Sequence, residues 1–148
     1  MMTNVYEPQI PKDKLRFLTS LEELRGRHPN LPCILVGHLN MIKSLIEKKG
    51  GTRTLGRDST AFQNFINNMR LVDVEIINGI FTWNNKRGGA FQVTSKLDRF
   101  LILEDLFLTG PNMSTIILPY GRLDHWPIYL EAMFIGSPRN RPFRFENV

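Results

Sequence analysis

The sequence predicts a mixed α/β domain with a layered sheet core, and three observations support this fold class. Apolar runs of strand length recur along the chain as far as Met133. Two stretches in the first half instead carry apolar residues at helical spacing. Strands that alternate with two helices and then dominate are typical of a sheet covered by helices. A chain of 148 residues is long enough for one such domain with a hydrophobic core.

The first strand and helix are predicted near the start of the chain. A short β-rich segment at 3–6 is stopped by Pro8 and Pro11. A helix is predicted over 12–25, because leucines recur every third residue and could form one face: Leu15, Leu18, Leu21 and Leu24. The apolar run at 33–39 then reads as a buried strand.

A second helix and strand follow a basic, glycine-containing loop. Asp58 or Ser59 is expected to cap a helix whose apolar positions are Phe62, Phe65, Ile66 and Met69. The next strand is predicted over 71–76.

The second half of the chain is predicted to be mainly strands. A hairpin tip is expected at 84–89, with a return strand over about 91–102. One helical turn at 104–108 precedes the last two strands, predicted at 113–118 and 126–133. The domain is therefore expected to cover residues 1–135, and residues 136–148, which are rich in Pro and Arg, resemble a linker.

Composition and charge restrict the class of protein. The net charge of +5 permits binding to nucleic acid or another polyanion, but solubility alone would explain it equally well. The start of the chain lacks a signal-peptide pattern, and no apolar run reaches membrane-spanning length, so we expect an intracellular protein of the nucleus or cytoplasm that is not secreted. The single cysteine, Cys33, is expected to be a small buried hydrophobe rather than a nucleophile.

Asp98 and His125 are the first candidate functional pair. Asp98 interrupts an apolar strand, where a carboxylate costs desolvation free energy unless it is paired, and a buried imidazole is a natural partner. The alternative is an ion pair between Asp98 and the adjacent Arg99, or a capped strand end. His125 follows Asp124 directly, so one of these two side chains could face a metal and the other a scissile phosphate.

His38 and Asn40 lie at the end of another apolar run. Strand alternation places the two side chains on the same side, and the Asn40 amide could hold a phosphoryl oxygen without adding charge. An ordinary asparagine at a strand-to-loop turn and a hydrogen-bonded structural histidine are the simpler interpretations. Carboxylate, imidazole and amide groups are used together in metal-assisted attack on a phosphate ester, which is the chemistry we expect here.

Two basic loops are candidates for contact with a nucleic-acid backbone. Neither glycine pair in these loops belongs to a phosphate-binding fingerprint, so binding to a nucleic-acid backbone would depend on the charge of the lysines and arginines. Solvated surface loops are the equally favoured alternative, and Trp83 beside the second loop is expected to be a core aromatic rather than a base-stacking platform. The basic candidates are Lys48, Lys49, Arg53, Arg57, Lys86 and Arg87.

Five stretches in order along the chain resemble the endonuclease/exonuclease/phosphatase superfamily. More narrowly, they resemble the endonuclease domain of plant LINE-type (non-LTR) retrotransposon polyproteins, and the tail at 141–147 is similar to the segment that follows it. The matching stretches are Asn4-Val5-Tyr6-Glu7-Pro8, Leu35-Val36-Gly37-His38-Leu39-Asn40, Phe81-Thr82-Trp83-Asn84, Ser95-Lys96-Leu97-Asp98-Arg99-Phe100 and Leu123-Asp124-His125-Trp126-Pro127-Ile128.

The resemblance implies a four-layer α/β sandwich with two packed mixed β-sheets, and hydrolysis of phosphate esters with Mg²⁺ or Mn²⁺. It implies that His125 contacts the scissile phosphate and that Asp98 polarises His125. It also implies that Asp124 lies at the metal site, that Asn40 and Tyr6 orient phosphate oxygens, and that the 84–89 hairpin meets DNA.

Three departures from the family pattern predict impaired catalysis. The family has aspartate where this chain has His38, and usually serine where it has Leu123. The chain also matches only the second half of the family domain, whose first half would supply the principal metal-binding glutamate and an early asparagine. We therefore expect a truncated, catalytically impaired DNA endonuclease of retroelement origin. The alternatives are a non-catalytic nucleic-acid-binding remnant and a relic without a selected role. Expected partners are DNA and either the missing first-half segment or a second copy of the chain.

Overall fold

A four-stranded mixed sheet is the centre of the fold. The computed structural model describes residues 1–8, 10–52, 54–119 and 123–134. The strands are β1 (Met2–Tyr6), β2 (Ile34–His38), β3 (Lys48–Lys49), β4 (Leu71–Asp73), β5 (Trp83–Asn84), β6 (Thr94–Ser95), β7 (Asp98–Leu103), β8 (Asn112–Ile117) and β9 (Ile128–Met133). The α-helices are α1 (Pro11–Arg27), α2 (Arg57–Asn68) and α3 (Glu104–Thr109), and short 3₁₀ turns lie at Leu45–Glu47 and Gly89–Phe91.

The central sheet has the strand order β1-β2-β7-β4. Strands β1 and β2 are parallel and joined through α1, whereas β7 runs antiparallel to both β2 and β4. Gly37 lies close to the backbone of β1, since a Cβ atom there would come within 2.0 Å of the Val5 carbonyl oxygen. Its φ of 139° also favours glycine.

Helices α1 and α2 cover one face of the central sheet. Because successive strand residues point to opposite faces, Leu35 and Leu101 face these helices. On α1, Leu18 and Leu21 are buried in this layer, but Leu15 is 51% exposed, so the prediction of one leucine face is wrong at that position. A spacing of three residues rotates about 60° per step relative to the 3.6-residue turn, which carries Leu15 off the buried face.

The two-stranded antiparallel sheet of β8 and β9 covers the opposite face of the central sheet. There, Val74, Phe100, Ile102 and Met113 form a second buried cluster with flanking apolar residues of β2 and β9. The order helix layer, central sheet, second sheet gives three successive layers in the described residues. The predicted mixed α/β class with packed sheets is therefore confirmed.

The predicted return strand at 91–102 is wrong as a single element. Its first part is β6, which lies between β3 and β5 in a separate three-stranded sheet, whereas its second part is β7 of the central sheet. The break falls at Lys96 and Leu97, where the chain passes from one sheet to the other because Thr82 Oγ1 accepts hydrogen bonds from the amides of Leu97 and Asp98. The predicted hairpin itself is confirmed by the antiparallel pair β5–β6.

Two other boundaries differ from the sequence-based prediction. Helix α2 begins at Arg57 after an N-cap at Gly56, so neither Asp58 nor Ser59 caps it. The predicted strand at 71–76 ends at Asp73, whose carboxylate pairs with buried Arg99. Beyond it, Ile76 forms an isolated bridge with Thr115 and is not part of β4. The buried positions predicted for α2, the helical turn α3 and the last two strands are confirmed within one or two residues at most ends.

Other predictions concern burial and residues outside the described ranges. Cys33 is fully buried in the helix-side core, as predicted, and burial raises the pKa of its thiol. The linker-like tail at 136–148 and the boundary at residue 135 lie outside the described residues. Within those residues, no helix combines the length and apolar composition needed to cross a membrane.

Candidate functional site

Strand register places Tyr6, His38 and Asp98 in one row across three strands. In the parallel pair β1–β2, Tyr6 lies beside His38, and in the antiparallel pair β2–β7, His38 lies beside Asp98. The Tyr6 and His38 rings are 5.2 Å apart between centroids. These three residues occupy the sheet edge at which β1 and β2 end and β7 begins, so residues distant in sequence meet at one place.

Asp98 is shared by two histidines. Its Oδ1 lies 3.2 Å from His38 Nδ1, and its Oδ2 lies 2.9 Å from His125 Nδ1. Burial would raise the pKa of Asp98, but hydrogen bonds from His38 and His125 outweigh burial and hold this pKa below its usual value. An ionised carboxylate only accepts hydrogen bonds, so each Nδ1 is assigned a proton. The structure therefore brings Asp98 and His125 together and adds His38 to the pair.

The adjacent Arg99 does not pair with Asp98. Its side chain points to the other face of β7, where it donates to Glu47 at 2.7 and 2.8 Å and to Asp73 at 2.6 Å. Its guanidinium also donates to the backbone carbonyls of Met41 and Lys96. Arg99 is fully buried, so this network ties the loop after β2 to the central sheet. The alternative of an Asp98–Arg99 ion pair is therefore wrong.

Asp124 and His125 are adjacent in sequence but have different hydrogen-bond partners. Trp83 Nε1 donates a hydrogen bond to Asp124 Oδ2 at 3.2 Å, and Trp83 forms an isolated antiparallel bridge with His125. Asp124 is exposed, and its role as a metal ligand stays a prediction. Trp83 is half-buried and belongs to neither hydrophobic cluster of the described residues, so the prediction of a core aromatic is wrong.

Thr82 is a positioning residue that the sequence analysis did not single out. It is fully buried, and its Oγ1 accepts hydrogen bonds from the amides of Leu97 at 3.0 Å and Asp98 at 2.9 Å. Its backbone carbonyl accepts from the Trp126 amide, one residue after His125. Thr82 thus fixes the segments that carry both members of the Asp98–His125 pair. The only sequence signal was its place in the matching stretch 81–84.

Asn40 completes a polar cavity at the same sheet edge. Its φ of 43° is left-handed, a conformation that asparagine tolerates, and it turns the chain directly after β2. Its carbonyl accepts a hydrogen bond from Lys14 Nζ at 3.0 Å. The cavity has a volume of about 570 Å³, and its polar lining includes Tyr6, His38, Asn40, Lys48, Asp124 and His125. Five of the predicted catalytic and metal-site residues therefore share one cavity, whereas Asp98 is not part of its lining and contacts two of the residues that are, His38 and His125.

One of the basic candidates, Lys48, lines this cavity. Strand register in the three-stranded sheet aligns Lys48 with Ser95 and Trp83, and Lys49 with Thr94 and Asn84. Lys48 lines the cavity, and Lys86 Nζ lies 5.3 Å from the centroid of the Trp126 ring. Arg57 and Arg87 are exposed, and Arg53 lies outside the described residues. A nucleic-acid role for these six residues stays a prediction.

The donor set at the centre of the site does not fit Mg²⁺. His38, Asp98 and His125 each offer one ligand atom, and these atoms lie within 4.8 Å of one another. Mg²⁺ demands hard oxygen ligands in octahedral geometry, whereas two of these three donors are imidazole nitrogens. The three side chains have the donor types and the spacing to hold a divalent cation, but nothing in the cluster supports Mg²⁺ in particular.

Solved structures with a similar fold include nucleases and a phosphatase. A 3′-5′ exonuclease from Neisseria meningitidis, NExo, superposes with a TM-score of 0.67 at 17% identity, covering 90% of this chain and 61% of the exonuclease. The endonuclease domain of TRAS1, a telomere-specific non-LTR retrotransposon, gives a TM-score of 0.63 at 16% identity, covering 88% and 56%. A structure of 3′ phosphatase NExo from Neisseria bound to product DNA hairpin gives 0.64 at 18% identity, covering 90% and 61%.

These likenesses confirm the fold expected from the sequence resemblance. The chain has the fold of the endonuclease/exonuclease/phosphatase structures, including that of a retrotransposon endonuclease domain. It spans less than two thirds of the length of each of those three chains. No family model matches the chain, and no curated protein matches it significantly.

Proposed function

We propose that this chain carries the phosphate-binding part of a DNA phosphodiesterase site of the retroelement endonuclease type, with an impaired hydrolytic step. The observation that carries the proposal is the contact between His125 Nδ1 and Asp98 Oδ2 at 2.9 Å, on the wall of the cavity that Tyr6 and Asn40 also line. Nuclease folds among the similar structures support the same reaction class. Because those chains are longer, the remaining part of the site is proposed to come from residues outside this chain.

The chemical roles follow from the orientation of His125. Its Nδ1 donates to Asp98, so its Nε2 is free to contact a phosphate oxygen. Asp98 fixes the orientation of the ring, and the N–H that a ring protonated at Nε2 presents to the phosphate would stabilise the negative charge that develops there. Tyr6, 70% exposed at the cavity, and Asn40 supply neutral donors for the other phosphate oxygens.

His38 is the reason we propose impairment. It lies 3.2 Å from the second oxygen of Asp98 and edge-on to His125, with the two ring centroids 4.7 Å apart. The Asp98 carboxylate therefore accepts hydrogen bonds from two imidazoles, whereas the proposed mechanism needs it to orient only His125. An imidazole in this position also brings no negative charge to the cavity, where a carboxylate would help to bind a cation or activate water.

A second candidate function is nucleic-acid binding without catalysis. The specific observation in its favour is the register that places Lys48 and Lys49 two strands away from the start of the basic hairpin. Lysines on one sheet edge can bind phosphates through counterion release, which requires no metal and no intact catalytic pair.

A partner that covers the exposed apolar surface of β9, either a further segment or a second copy of the chain, also stays a prediction.

Plasmid nicking and DNA binding in parallel would separate the two functions. We expect weak nicking of supercoiled DNA with Mn²⁺ or Mg²⁺, abolished in His125→Ala and unchanged in the control His28→Ala, whose histidine is exposed at the C-terminal end of α1. His38→Asp should raise the rate, because Asp98 would then serve His125 alone. Nicking that survives His125→Ala would overturn the catalytic assignment. Salt-sensitive DNA binding in EDTA, with no nicking by any variant, would favour the binding function.

A further inference from the structure

We infer that His38, Asp98 and His125 form a binding site for a divalent transition-metal cation of the zinc type. The ligands would be the Nδ1 atoms of the two histidines and the carboxylate of Asp98. The inference concerns the metal class of the site already described, and it does not require that the proposed hydrolysis occur.

The distances between the donor atoms suit a metal of this class. The Nδ1 atoms lie 3.2 and 2.9 Å from the nearest oxygens of Asp98. Zinc bonds to nitrogen and oxygen are roughly 2.0–2.2 Å long, so ligands at adjacent corners of a tetrahedral site are about 3.3–3.6 Å apart. The distances of 3.2 and 2.9 Å involve different oxygens of Asp98, and all three ligand atoms lie within 4.8 Å of one another. Ring rotations that shorten the largest of these separations would place three ligands around one cation. Each histidine would move its proton from Nδ1 to Nε2, so binding requires no net loss of a proton by a neutral ring.

The surrounding structure already holds the three side chains in place. Thr82 Oγ1 fixes the Asp98 amide at 2.9 Å, and the His38 ring packs between Tyr6 and His125. His38 and Asp98 are only 11% and 16% exposed in their side chains, respectively, whereas His125 is 35% exposed. His38 and Asp98 are held at strand ends, so these two ligands lose little conformational entropy on binding, which favours affinity.

The identity of the donors selects the class of metal. Imidazole nitrogens suit Zn²⁺, Co²⁺ and Ni²⁺, whereas Mg²⁺ prefers carboxylate, carbonyl and water oxygens. Two neutral histidines and one carboxylate would leave a bound divalent cation with a net charge of +1. Three protein ligands also leave a coordination position open toward the cavity of about 570 Å³. Such a site can accept a water molecule or an anionic oxygen, including that of a phosphate.

The test is metal binding by the full chain, prepared without a histidine tag. Co²⁺ titration should produce visible absorption bands that Zn²⁺ displaces. Zn²⁺ at about a hundred times its Kd should raise Tm by roughly 5–10 °C, whereas Mg²⁺ at the same concentration should not. His38→Gln should weaken Zn²⁺ binding by about 100-fold or more, because even outer-shell partners of metal ligands contribute about 10–100-fold. His28→Gln is the matched control, since it removes the exposed histidine outside the cluster.

Each outcome decides for or against the inference. Absence of Co²⁺ bands and of a Zn²⁺-dependent Tm shift in the wild-type chain would overturn it, whether or not any variant folds. An equal Tm rise with Mg²⁺ and Zn²⁺ would overturn the metal class, and full Zn²⁺ affinity in His38→Gln would overturn the ligand set. Zn²⁺ binding without nicking would support the metal site and count against the proposed hydrolysis. Failure of the metal-site inference can therefore be distinguished from failure of the proposed function.

Discussion

Glu7→Gln tests whether a buried carboxyl group beside the site keeps its proton in the folded chain. Glu7 follows Tyr6 directly, its side chain is fully buried, and neither carboxyl oxygen has a hydrogen-bond partner among the described residues. Burial raises the pKa of Glu7 from 4.5 to about 8, although the positive charge of Lys14 acts in the opposite direction. The folded chain therefore binds the Glu7 proton at neutral pH, and the unfolded chain releases it.

The magnitude follows from the two pKa values of Glu7. Below pH 4.5 both states are protonated, and above pH 8 both are ionised, so the free energy of unfolding falls as pH rises between these limits. Between pH 6 and pH 9 the loss is about 2.5 kcal/mol, using about 1.4 kcal/mol for each unit of difference in pKa. For a chain of this size, that loss corresponds to a decrease in Tm of roughly 5–10 °C. Glutamine cannot ionise, so Glu7→Gln should lack this component.

Thermal unfolding of both chains at pH 6 and pH 9 measures the difference. We expect the wild-type Tm to fall by roughly 5–10 °C more than that of Glu7→Gln over this range. Glu23→Gln, which removes an exposed acid of α1, should follow the wild-type slope. The reasoning is refuted if wild type and Glu7→Gln lose stability in parallel, since Glu7 would then already be ionised in the folded state at pH 6.

Three other substitutions test the contacts that position the site. Thr82→Val removes the acceptor of two backbone hydrogen bonds and should lower the free energy of unfolding in urea by about 2–5 kcal/mol. Thr82→Ser keeps the hydroxyl and should stay close to wild type. Equal losses of stability in the two variants would contradict the hydrogen-bond explanation. Arg99→Met removes the guanidinium that pairs with buried Glu47 and should cost about 3–5 kcal/mol, although Asp73 keeps its two lysine partners. Arg70→Met removes only exposed ion pairs and should cost much less, so similar losses would refute the role of the buried network. Gly37→Ala should lower the free energy of unfolding by at least about 2 kcal/mol, because its Cβ would meet a backbone oxygen. Gly88→Ala should not, since a Cβ at Gly88 would lie in open space. A Gly37→Ala variant as stable as wild type would contradict the close approach of the backbone.

The parts of the fold that depend on local pattern were predictable. The apolar positions of α2 follow helical periodicity, so Phe62, Phe65 and Ile66 were assigned to the core and are buried there. Asp98 was singled out because a carboxylate in an apolar strand needs a partner, and the structure places His125 at hydrogen-bond distance. In both cases the physical requirement is visible within a few neighbouring residues.

The parts that depend on register between distant segments were not predictable. The contact of His38 with Asp98 exists because β2 and β7 pair in one particular register, and a shift by one residue would separate the two side chains. The pairing of Arg99 with Glu47 requires the loop after β2 to fold back onto β7, which no local pattern indicates. The break between β6 and β7 depends on Thr82, a residue whose hydroxyl partners lie on another segment.

Histidine side-chain NMR of the wild-type chain, titrated with a short single-stranded DNA in EDTA, tests the phosphate site most directly. We expect the His125 ring resonances to shift with the DNA concentration and those of His28 to stay unchanged, because His125 lines the cavity and His28 is exposed at the end of α1. His125→Ala should then bind the DNA more weakly than His28→Ala does. DNA binding that leaves the His125 ring resonances unshifted would contradict the proposed phosphate site. The DNA would then be bound by the basic loops and not by the cavity.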